Sequence, residues 1–489
     1  MDIQSYAKYQ HGKIRDEILQ SLCKKYCCVL LGFPGSGKTV MTADLIKTLI
    51  CDHHKKVAVT GSTGSAAQQI KSLLPEMNLS VQTIHSFLGY SAKETNMIDK
   101  GNMNMFDRHI KQQMRLPWKQ QARETMNETD ILIVDEMSML TGEFIYGMDI
   151  TLRAARRMPS KRFGGITLFL IGDFRQLPPV SNSAYQYSFL HPNWESNKWF
   201  DKIYVLEFIL RQSGDIPYSE MILRLSHNAL THEDLDILRE RVVSDGRNKI
   251  MDVSFLPDAL RVFHTNKEVN MYNDAITEKA ALEGRNHVML PFKMDVPKQH
   301  DMQKELKQLQ NDMVYSKEIF VGSSVIITAN MDVGQGIVNG TMGKVVQIEQ
   351  GVSGDTPIFG GRELSLVATL KLDDNRIIKV GNHTISATKD DGKKTTSYFP
   401  TKLVVKAHYI PLLLSHAITV HRLQGSTIRR PLFYMPRMMA RYCREFYVIA
   451  TRVTSLDYLY LTELPHNLTG VMDPMVIDMY HTLFKQINV

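Results

Sequence analysis

Residues Gly32-Phe33-Pro34-Gly35-Ser36-Gly37-Lys38-Thr39 follow the pattern GxxxxGK[ST], and no other stretch restricts the fold of this chain so strongly. The apolar run Cys27–Leu31 precedes it and a helical pattern, Lys38–Ile50, follows. Strand, glycine-rich turn and helix in that order let backbone N–H groups face phosphates at a helix N-terminus. In such a loop Gly35, Ser36 and Gly37 cradle a nucleotide, Lys38 reaches its β- and γ-phosphates, and Thr39 holds Mg²⁺.

A phosphate loop needs a metal-holding acid on a neighbouring strand. Ile131-Leu132-Ile133-Val134-Asp135-Glu136 supplies an apolar strand ending in two carboxylates. Ligands bind at that edge of a parallel sheet. Asp135 is expected to hold Mg²⁺, and Glu136 to orient or deprotonate the attacking water. A further apolar run, Thr167–Ile171, leads into Gly172-Asp173-Phe174-Arg175-Gln176-Leu177-Pro178-Pro179-Val180. There a strand-end Gln176 can report loss of the γ-phosphate, although composition alone fits a structural loop equally well.

Apolar runs at Cys27–Leu31, Lys56–Thr60, Ile131–Asp135, Thr167–Ile171 and Ile203–Leu206 alternate with helical patterns such as Ser65–Leu74. Buried strands alternating with helices imply an α/β fold, its parallel sheet covered on both faces. The stretch 90–130 interrupts the rhythm and is polar. From Lys100 to Arg123 it carries Arg108, Lys111, Arg115 and Lys119 against the single acid Asp107. A solvated helix face accounts for those charges as well as a binding surface does. Helical patterns at Tyr218–Leu225 and His232–Val242 precede a strand–helix unit at Leu260–Ala275. The charged segment 281–315 has no assignable pattern. From about 340 to 409, short β-rich runs with turn residues at Asp373-Asp374-Asn375 and Asp391-Gly392 read as an all-β insert.

The chain has 489 residues, 22% of them charged, 43% hydrophobic and 8% aromatic, with a net charge of +7. That length exceeds one compact core, and the balance excludes a disordered chain. The basic excess suits a polyanion partner without proving one. The N-terminus lacks an apolar signal core, and no run approaches the ~20 residues of a membrane span. Five cysteines make no disulfide framework, so a reduced, intracellular protein is expected, nucleus or cytoplasm undecided. Cys23, Cys27, Cys28, Cys51, His53 and His54 lack paired CxxC spacing and read as residues flanking a buried strand rather than a zinc site.

The order of these motifs resembles the superfamily 1B helicases of the RecD-like and PIF-one-like group. Thr60-Gly61-Ser62-Thr63-Gly64-Ser65-Ala66-Ala67 is similar to the family's first DNA-contacting motif, with Gly61 where Ala is usual. Thr83-Ile84-His85-Ser86-Phe87-Leu88-Gly89 resembles its second, and GDFRQLPPV its third, the most specific signal in the chain. Leu210-Arg211-Gln212 resembles the motif whose Arg enters the ATP site from the second domain. Val420-His421-Arg422-Leu423-Gln424-Gly425-Ser426-Thr427 is similar to H-K-x-Q-G-x-T. Phe446-Tyr447-Val448-Ile449-Ala450-Thr451-Arg452-Val453-Thr454-Ser455 is similar to Y-V-A-L-S-R-x-x-S. Gln10 sits where the family's adenine-reading Gln sits, with a longer spacing to the phosphate loop.

The resemblance implies two RecA-like P-loop domains. The first would span 1–202 with a wedge insert at about 90–130. The second would span 203–338 and 410–489, with an SH3-like β insert at 339–409. It implies ATP and Mg²⁺ as cofactors. Lys38, Glu136, Gln176, Arg211 and Arg452 would be catalytic, with Gln10 and Gly425 also at the nucleotide. Ser62, Thr63, His85, Phe87, Asn266, Thr419 and His421 would contact a nucleic-acid strand. The implied activity is an ATP-dependent DNA helicase moving 5′-to-3′ on single-stranded DNA and unwinding forked duplex, in replication, repair or recombination. The polarity comes from the resemblance alone. An RNA helicase of the same superfamily, or a nucleotide-switched scaffold, are the alternatives; no protein partner is indicated.

Overall fold

The computed structural model describes residues 3–487, except 63, 75, 78, 80, 180–184, 197, 213, 296–315, 317, 330, 332–336, 338–339, 352–357, 360–361, 364, 373–374, 391–401, 437–443 and 469. Thr63 and most of the unassigned segment 281–315 therefore lie outside the described residues. The chain divides into two compact units, one built from Met1–Ile250 and Val420–Val489, the other from Met251–Val333 and Ile337–Thr419.

In the first unit six strands form a parallel sheet: β1 (Cys28–Gly32), β2 (Val57–Gly61), β3 (Val81–Thr83), β4 (Ile131–Asp135), β5 (Thr167–Gly172) and β6 (Lys202–Leu206). Their order is β3-β2-β4-β5-β1-β6. Every residue of β1, β4 and β5 is buried, as continuous apolar runs require of strands covered on both faces. Alternate residues serve opposite layers. Val29 and Leu31, with Leu132, Val134, Leu168 and Leu170, face one core. Cys28 and Leu30, with Ile131, Ile133, Phe169 and Ile171, face the other.

Helices α1 (Ile3–Cys23), α2 (Lys38–Cys51) and α3 (Gly64–Ser72) cover the second of these layers through Ile18, Leu45, Ile46 and Ile70. On the opposite layer lie α4 (Ile84–Phe87), α5 (Ala92–Asp99), α6 (Met103–Gln113), α7 (Gln120–Glu128) and α8 (Gly142–Arg156). The polar stretch 90–130 is thus helical. Its apolar residues Ile98, Phe106, Ile110, Met114 and Met126 are buried in the same core as Phe144 and Met148 of α8. The helix α6 ends at Gln113, before Arg115, and Pro117 opens the separate 3₁₀ turn Pro117–Lys119. The C-terminal helix Pro474–Ile487 joins this layer through Val476, Tyr480 and Leu483.

One expected boundary moves. The division after residue 202 falls inside β6, whose five residues pair in register with Cys28–Gly32 of β1. The first sheet therefore runs on to Leu206. The unit also continues to Ile250 and takes in Val420–Val489. Tyr447 and Arg452 hydrogen-bond to Asp173 and Gln176 there.

The second unit pairs β7 (Leu260–Phe263) in parallel with the strand Ala417–Thr419, and carries the helix Asn266–Leu282. Its antiparallel sheet of five strands takes the order Ile377–Val380, Ser365–Leu372, Met342–Gly351, Ser324–Ile327, Leu412–Leu414. Three of these strands fall within 340–409, where Asp373, Asp374, Asp391 and Gly392 of the expected turns lie outside the described residues, and the sheet closes over Val325, Ile327, Val345, Leu370 and Leu412. Part of the unassigned segment forms two short strands, His287–Met289 and Phe292–Asp295.

Candidate functional site

The loop between β1 and α2 is held in a shape that only glycine adopts cheaply. Gly35 and Gly37 have φ of +77° and +88°. Gly37 caps α2 without any side-chain hydrogen bond, so the first amides of that helix are left for a ligand. The Gly35 carbonyl accepts from the amides of Leu210 and Arg211 at 2.9 and 3.1 Å. A Cβ at Gly35 would lie 2.4 Å from Arg211 Cβ. The resemblance had assigned Arg211 to the nucleotide, and the fold sets its backbone directly on the loop.

Lys38 Nζ donates to the carbonyls of Gly32 and Phe33, each at 2.7 Å. Burial lowers its pKa, against the opposing pull of Asp173, Glu136 and Asp135. Those carboxylates and the ammonium form one electrostatic cluster. Asp135 is pushed up to about 7, by burial first and then by the charge of Glu136. Two adjacent buried carboxylates disfavour each other's charge, and a divalent cation relieves that cost. Thr39 lies in the first turn of α2, next to Lys38. Ser36 Oγ and Glu136 Oε2 are buried without a hydrogen-bond partner. Carboxylate and hydroxyl oxygens with unused bonding capacity are what Mg²⁺ and a phosphate accept, so the residues fit both.

Glu136 has φ of +54° and ψ of +45°, the left-handed region that side chains pay about 1–3 kcal/mol to occupy. A Cβ on Gly425 would lie 3.9 Å from Glu136 Oε1, and the Gly425 carbonyl accepts from Gln69 Nε2 at 2.8 Å.

The two arginines converge on one carbonyl segment. Arg211 Nη1 donates to Thr451 O at 2.8 Å. Arg452, on the helix Arg444–Arg452, is fully buried and donates to Val448 O, Thr451 Oγ1 and Gln176 Oε1 at 3.1, 3.1 and 3.2 Å. Burial, then the charge of Arg452, lowers Arg211 to about 9, while Glu136 opposes the shift. Lys38, Asp135, Glu136, Gln176, Arg211 and Arg452 are thus gathered around the phosphate loop. Gln10 lies in α1, half-buried, one residue before His11. A Cβ at Gly37 would stand 3.5 Å from His11 Cε1, which brings that part of α1 to the loop.

The expected strand contacts separate into two groups. Ser62 lies at the sheet edge, its amide donating to Asp135 O at 3.1 Å. His85 is half-buried on Phe144, ring centroids 4.7 Å apart, and burial lowers its pKa. His421 is exposed on the short helix Val420–Leu423. In the second unit Asn266 is exposed at the start of its helix, while Thr419 is nearly buried in its strand. Phe87 is a correction: it is 1% exposed and packed in the core, so its ring has no face to offer a base.

Sequence reasoning gave no role to five residues beside the loop: Asp173, Tyr447, Tyr480, Phe33 and Arg175. Asp173 accepts from Tyr447 OH at 3.1 Å and from Tyr480 OH at 2.8 Å. The Phe33 ring lies 4.0 Å from the Arg175 guanidinium. Tyr447 and Asp173 stood inside quoted motifs; Tyr480 carried no local signal.

A family model described as an AAA domain matches residues 15–182. The ATP-dependent DNA helicase PIF1 of Emericella nidulans is 25% identical over 487 residues, covering 92% of this chain and 60% of that protein. The ATP-dependent DNA helicase PIF1 of Saccharomyces cerevisiae is 29% identical over 325 residues, covering 65% of this chain and 33% of that protein. The chain thus spans 60% or less of the length of these two relatives. Among solved structures, the Pif1 helicase from Candida albicans superposes with a TM-score of 0.71 at 23% identity, over 96% of this chain and 98% of that one. Bacteroides Pif1 bound to single-stranded DNA gives 0.64 at 20% identity, over 98% and 97%. The fold is α/β with two RecA-like domains, and in motif order and architecture the chain is similar to these Pif1 helicases.

Proposed function

We propose that this chain is an ATP-dependent DNA helicase that moves 5′-to-3′ on single-stranded DNA and opens forked duplex. The observation that carries the reading is the gathering of Glu136, Arg211 and Arg452 at the phosphate loop, because a nucleotide-switched scaffold needs none of the three. The direction of movement and the choice of DNA rest on the likeness to proteins named Pif1 helicases, one solved with single-stranded DNA and one at forked duplex DNA.

Phosphoryl transfer needs positive charge on the equatorial oxygens as they develop it. Lys38 leaves the carbonyls of Gly32 and Phe33 for the phosphates, exchanging two neutral acceptors for an anion. Arg211 and Arg452 add charge from the Thr451 segment. Glu136 orients and deprotonates the attacking water. Thr39 and Asp135 would hold Mg²⁺, which supplies further charge on the phosphate oxygens when bound. The segment Val420–Thr427 carries exposed His421 at one end and places Gly425 beside Glu136 at the other. It is a short physical link between strand contact and water activation. The helical stretch 90–130 is the wedge of this reading, and the antiparallel region within 339–409 its SH3-like insert. The compartment is intracellular and reducing; among the described residues no helix is long and apolar enough to cross a membrane.

The test is a helicase assay on duplexes with a 5′ or a 3′ single-stranded overhang, with ATP turnover followed on single-stranded DNA and RNA. The reading expects unwinding from the 5′ overhang and stimulation by DNA. Turnover that no nucleic acid changes would leave the scaffold standing instead.

A further inference from the structure

Of the three tryptophans, Trp194 and Trp199 are 8% and 1% exposed, and Trp118 is 61% exposed. An indole in water forgoes much of its burial energy, so its setting matters. Trp118 stands in the 3₁₀ turn Pro117–Lys119 between α6 and α7. Two cations fasten that turn from beneath. Lys119, 7% exposed, donates to the Gly89 carbonyl and pairs with buried Glu94 at 3.6 Å. Arg123 Nη1 donates to the carbonyls of Met114 and Leu116, the latter at 3.1 Å. Neighbouring residues are thus held by part-buried charged hydrogen bonds while the indole is left in solvent, the arrangement of a preorganised contact rather than a loose loop.

The surroundings select the partner. Arg108 and Arg115 are exposed, and among the described residues neither has a carboxylate within ion-pair distance. Lys111 is exposed and, among the described residues, pairs with Asp107 alone, at 2.7 Å. An exposed indole on a fastened turn, in one segment with exposed and unpaired arginines on and just after the preceding helix, matches single-stranded nucleic acid, whose bases stack and whose phosphates attract cations. The turn is also continuous with the expected strand contacts. Gly89 ends the Thr83–Gly89 segment that bears His85, and a Cβ at Gly89 would touch Ala122 at 3.0 Å and Lys119 Cδ at 3.6 Å. We propose that Trp118, with Arg108 and Arg115, forms an additional single-stranded DNA subsite that stacks one unpaired base and extends the strand path beyond His85. This rests on the proposed function but differs from a wedge, which blocks duplex and adds nothing to the affinity for a bare strand.

The experiment uses the full chain without nucleotide, titrated with oligo(dT) of about 8, 12 and 16 nucleotides, lengths within the usual site sizes. Intrinsic fluorescence and the anisotropy of labelled strand are read together. Binding should quench the emission of the exposed indole. Trp118→Phe should lose the quenching and keep the affinity within about twofold, because a phenyl ring still stacks. Trp118→Ala should lose about tenfold in affinity for the longest strand, an ordinary value for one stacked base, and less for the shortest. Arg115→Gln should flatten the dependence of log K on log salt by about 0.7, one phosphate contact on a single strand. The subsite is overturned if wild type binds the strand without quenching and Trp118→Ala binds as tightly. That result would hand the surface to a protein partner or to duplex blocking, and would leave the proposed function intact. Failure of wild type to bind any strand overturns both.

Discussion

The guanidinium of Arg175 lies 3.6 Å from the ring centroid of Tyr480 and 4.0 Å from that of Phe33, which ties the C-terminal helix to the phosphate loop. Arg175 also meets Asp173 at 3.4 Å, and Tyr480 OH donates to the same carboxylate at 2.8 Å. Phe33 in turn offers its carbonyl to Lys38. A displacement of Tyr480 therefore reaches the lysine through one aromatic ring.

Two substitutions separate the parts of this clamp. Tyr480→Phe keeps the ring on Arg175 and removes the hydroxyl from Asp173. It should cost about 1.5–3 kcal/mol of stability, the range for a hydrogen bond to a charged group. Arg175→Leu leaves Asp173 buried without its cation and should cost about 3–5 kcal/mol. Under the proposed function both should raise the KM for ATP more than they lower kcat, since each disturbs the Phe33 support of the loop that would bind the phosphates. Thermal unfolding and steady-state turnover check the pair. Wild-type stability and wild-type KM in Tyr480→Phe would detach the C-terminal helix from the site.

The loop glycine makes a sharper prediction. At Gly35 an added methyl meets Arg211 Cβ at 2.4 Å, and the backbone is at φ +77°. Gly35→Ala should break the pairing of Gly35 O with the amides of Leu210 and Arg211 and abolish nucleotide binding. Gly12→Ala is the control, because nothing lies within 4 Å of the added carbon and the site is inside α1. It should be neutral or stabilising by up to about 1 kcal/mol. Equilibrium binding of a fluorescent nucleotide reads both variants.

Lys38→Ala and Glu136→Gln divide binding from chemistry. The first removes the ammonium that the phosphates need and should abolish turnover. The second keeps size and polarity and removes the base. Nucleotide and Mg²⁺ should still bind, and turnover should fall by about 10²–10⁴-fold, the usual contribution of a general base. Phosphate release at the wild-type rate in Glu136→Gln would remove Glu136 from catalysis.

Much of this site was legible because its chemistry is local in sequence. The loop 32–39 and the Asp135-Glu136 pair are contiguous signals, and fully apolar runs mark β1, β4 and β5 because both faces of those strands are covered. What stayed hidden depends on contacts across long separations. Tyr480 reaches Asp173 from 307 residues away, and no periodicity near either announces it. The apolar run Ile203–Leu206 marks a strand, but nothing near it announces pairing with β1, so the expected boundary at 202 falls inside β6. Phe87 sits in a motif that resembles a strand contact, yet three-dimensional packing turned it inward. The polar stretch 90–130 hid its buried residues because Phe106, Ile110 and Met114 are spaced at one per helical turn among charges.

The two arginines should part company with His421 in a crossed experiment. Arg211 and Arg452 point at the Thr451 segment and Gln176, beside the phosphate loop, whereas His421 is exposed. Arg211→Ala should lose about 10³-fold or more in ATP turnover, by analogy with arginine fingers, with little change in strand affinity measured without nucleotide. His421→Ala should weaken strand binding and leave strand-independent turnover nearly intact. Arg452 is a harder case, since its full burial means that Ala takes from Gln176 Oε1 and Val448 O the guanidinium they share, Val448 O keeping Thr451 Oγ1 at 2.9 Å. Part of its loss will be structural. Arg452→Lys supplies the control: it keeps a charge and one donor, so it should recover much of the stability without the turnover, because an ammonium cannot span Gln176, Thr451 and Val448 as the guanidinium does. Anisotropy reads strand binding, phosphate release reads turnover, and thermal unfolding reads the fold. If Arg452→Lys restored stability and turnover together, Arg452 would be a packing residue of its helix. Arg211 alone would then bring positive charge from the Thr451 side to the transferring phosphoryl group.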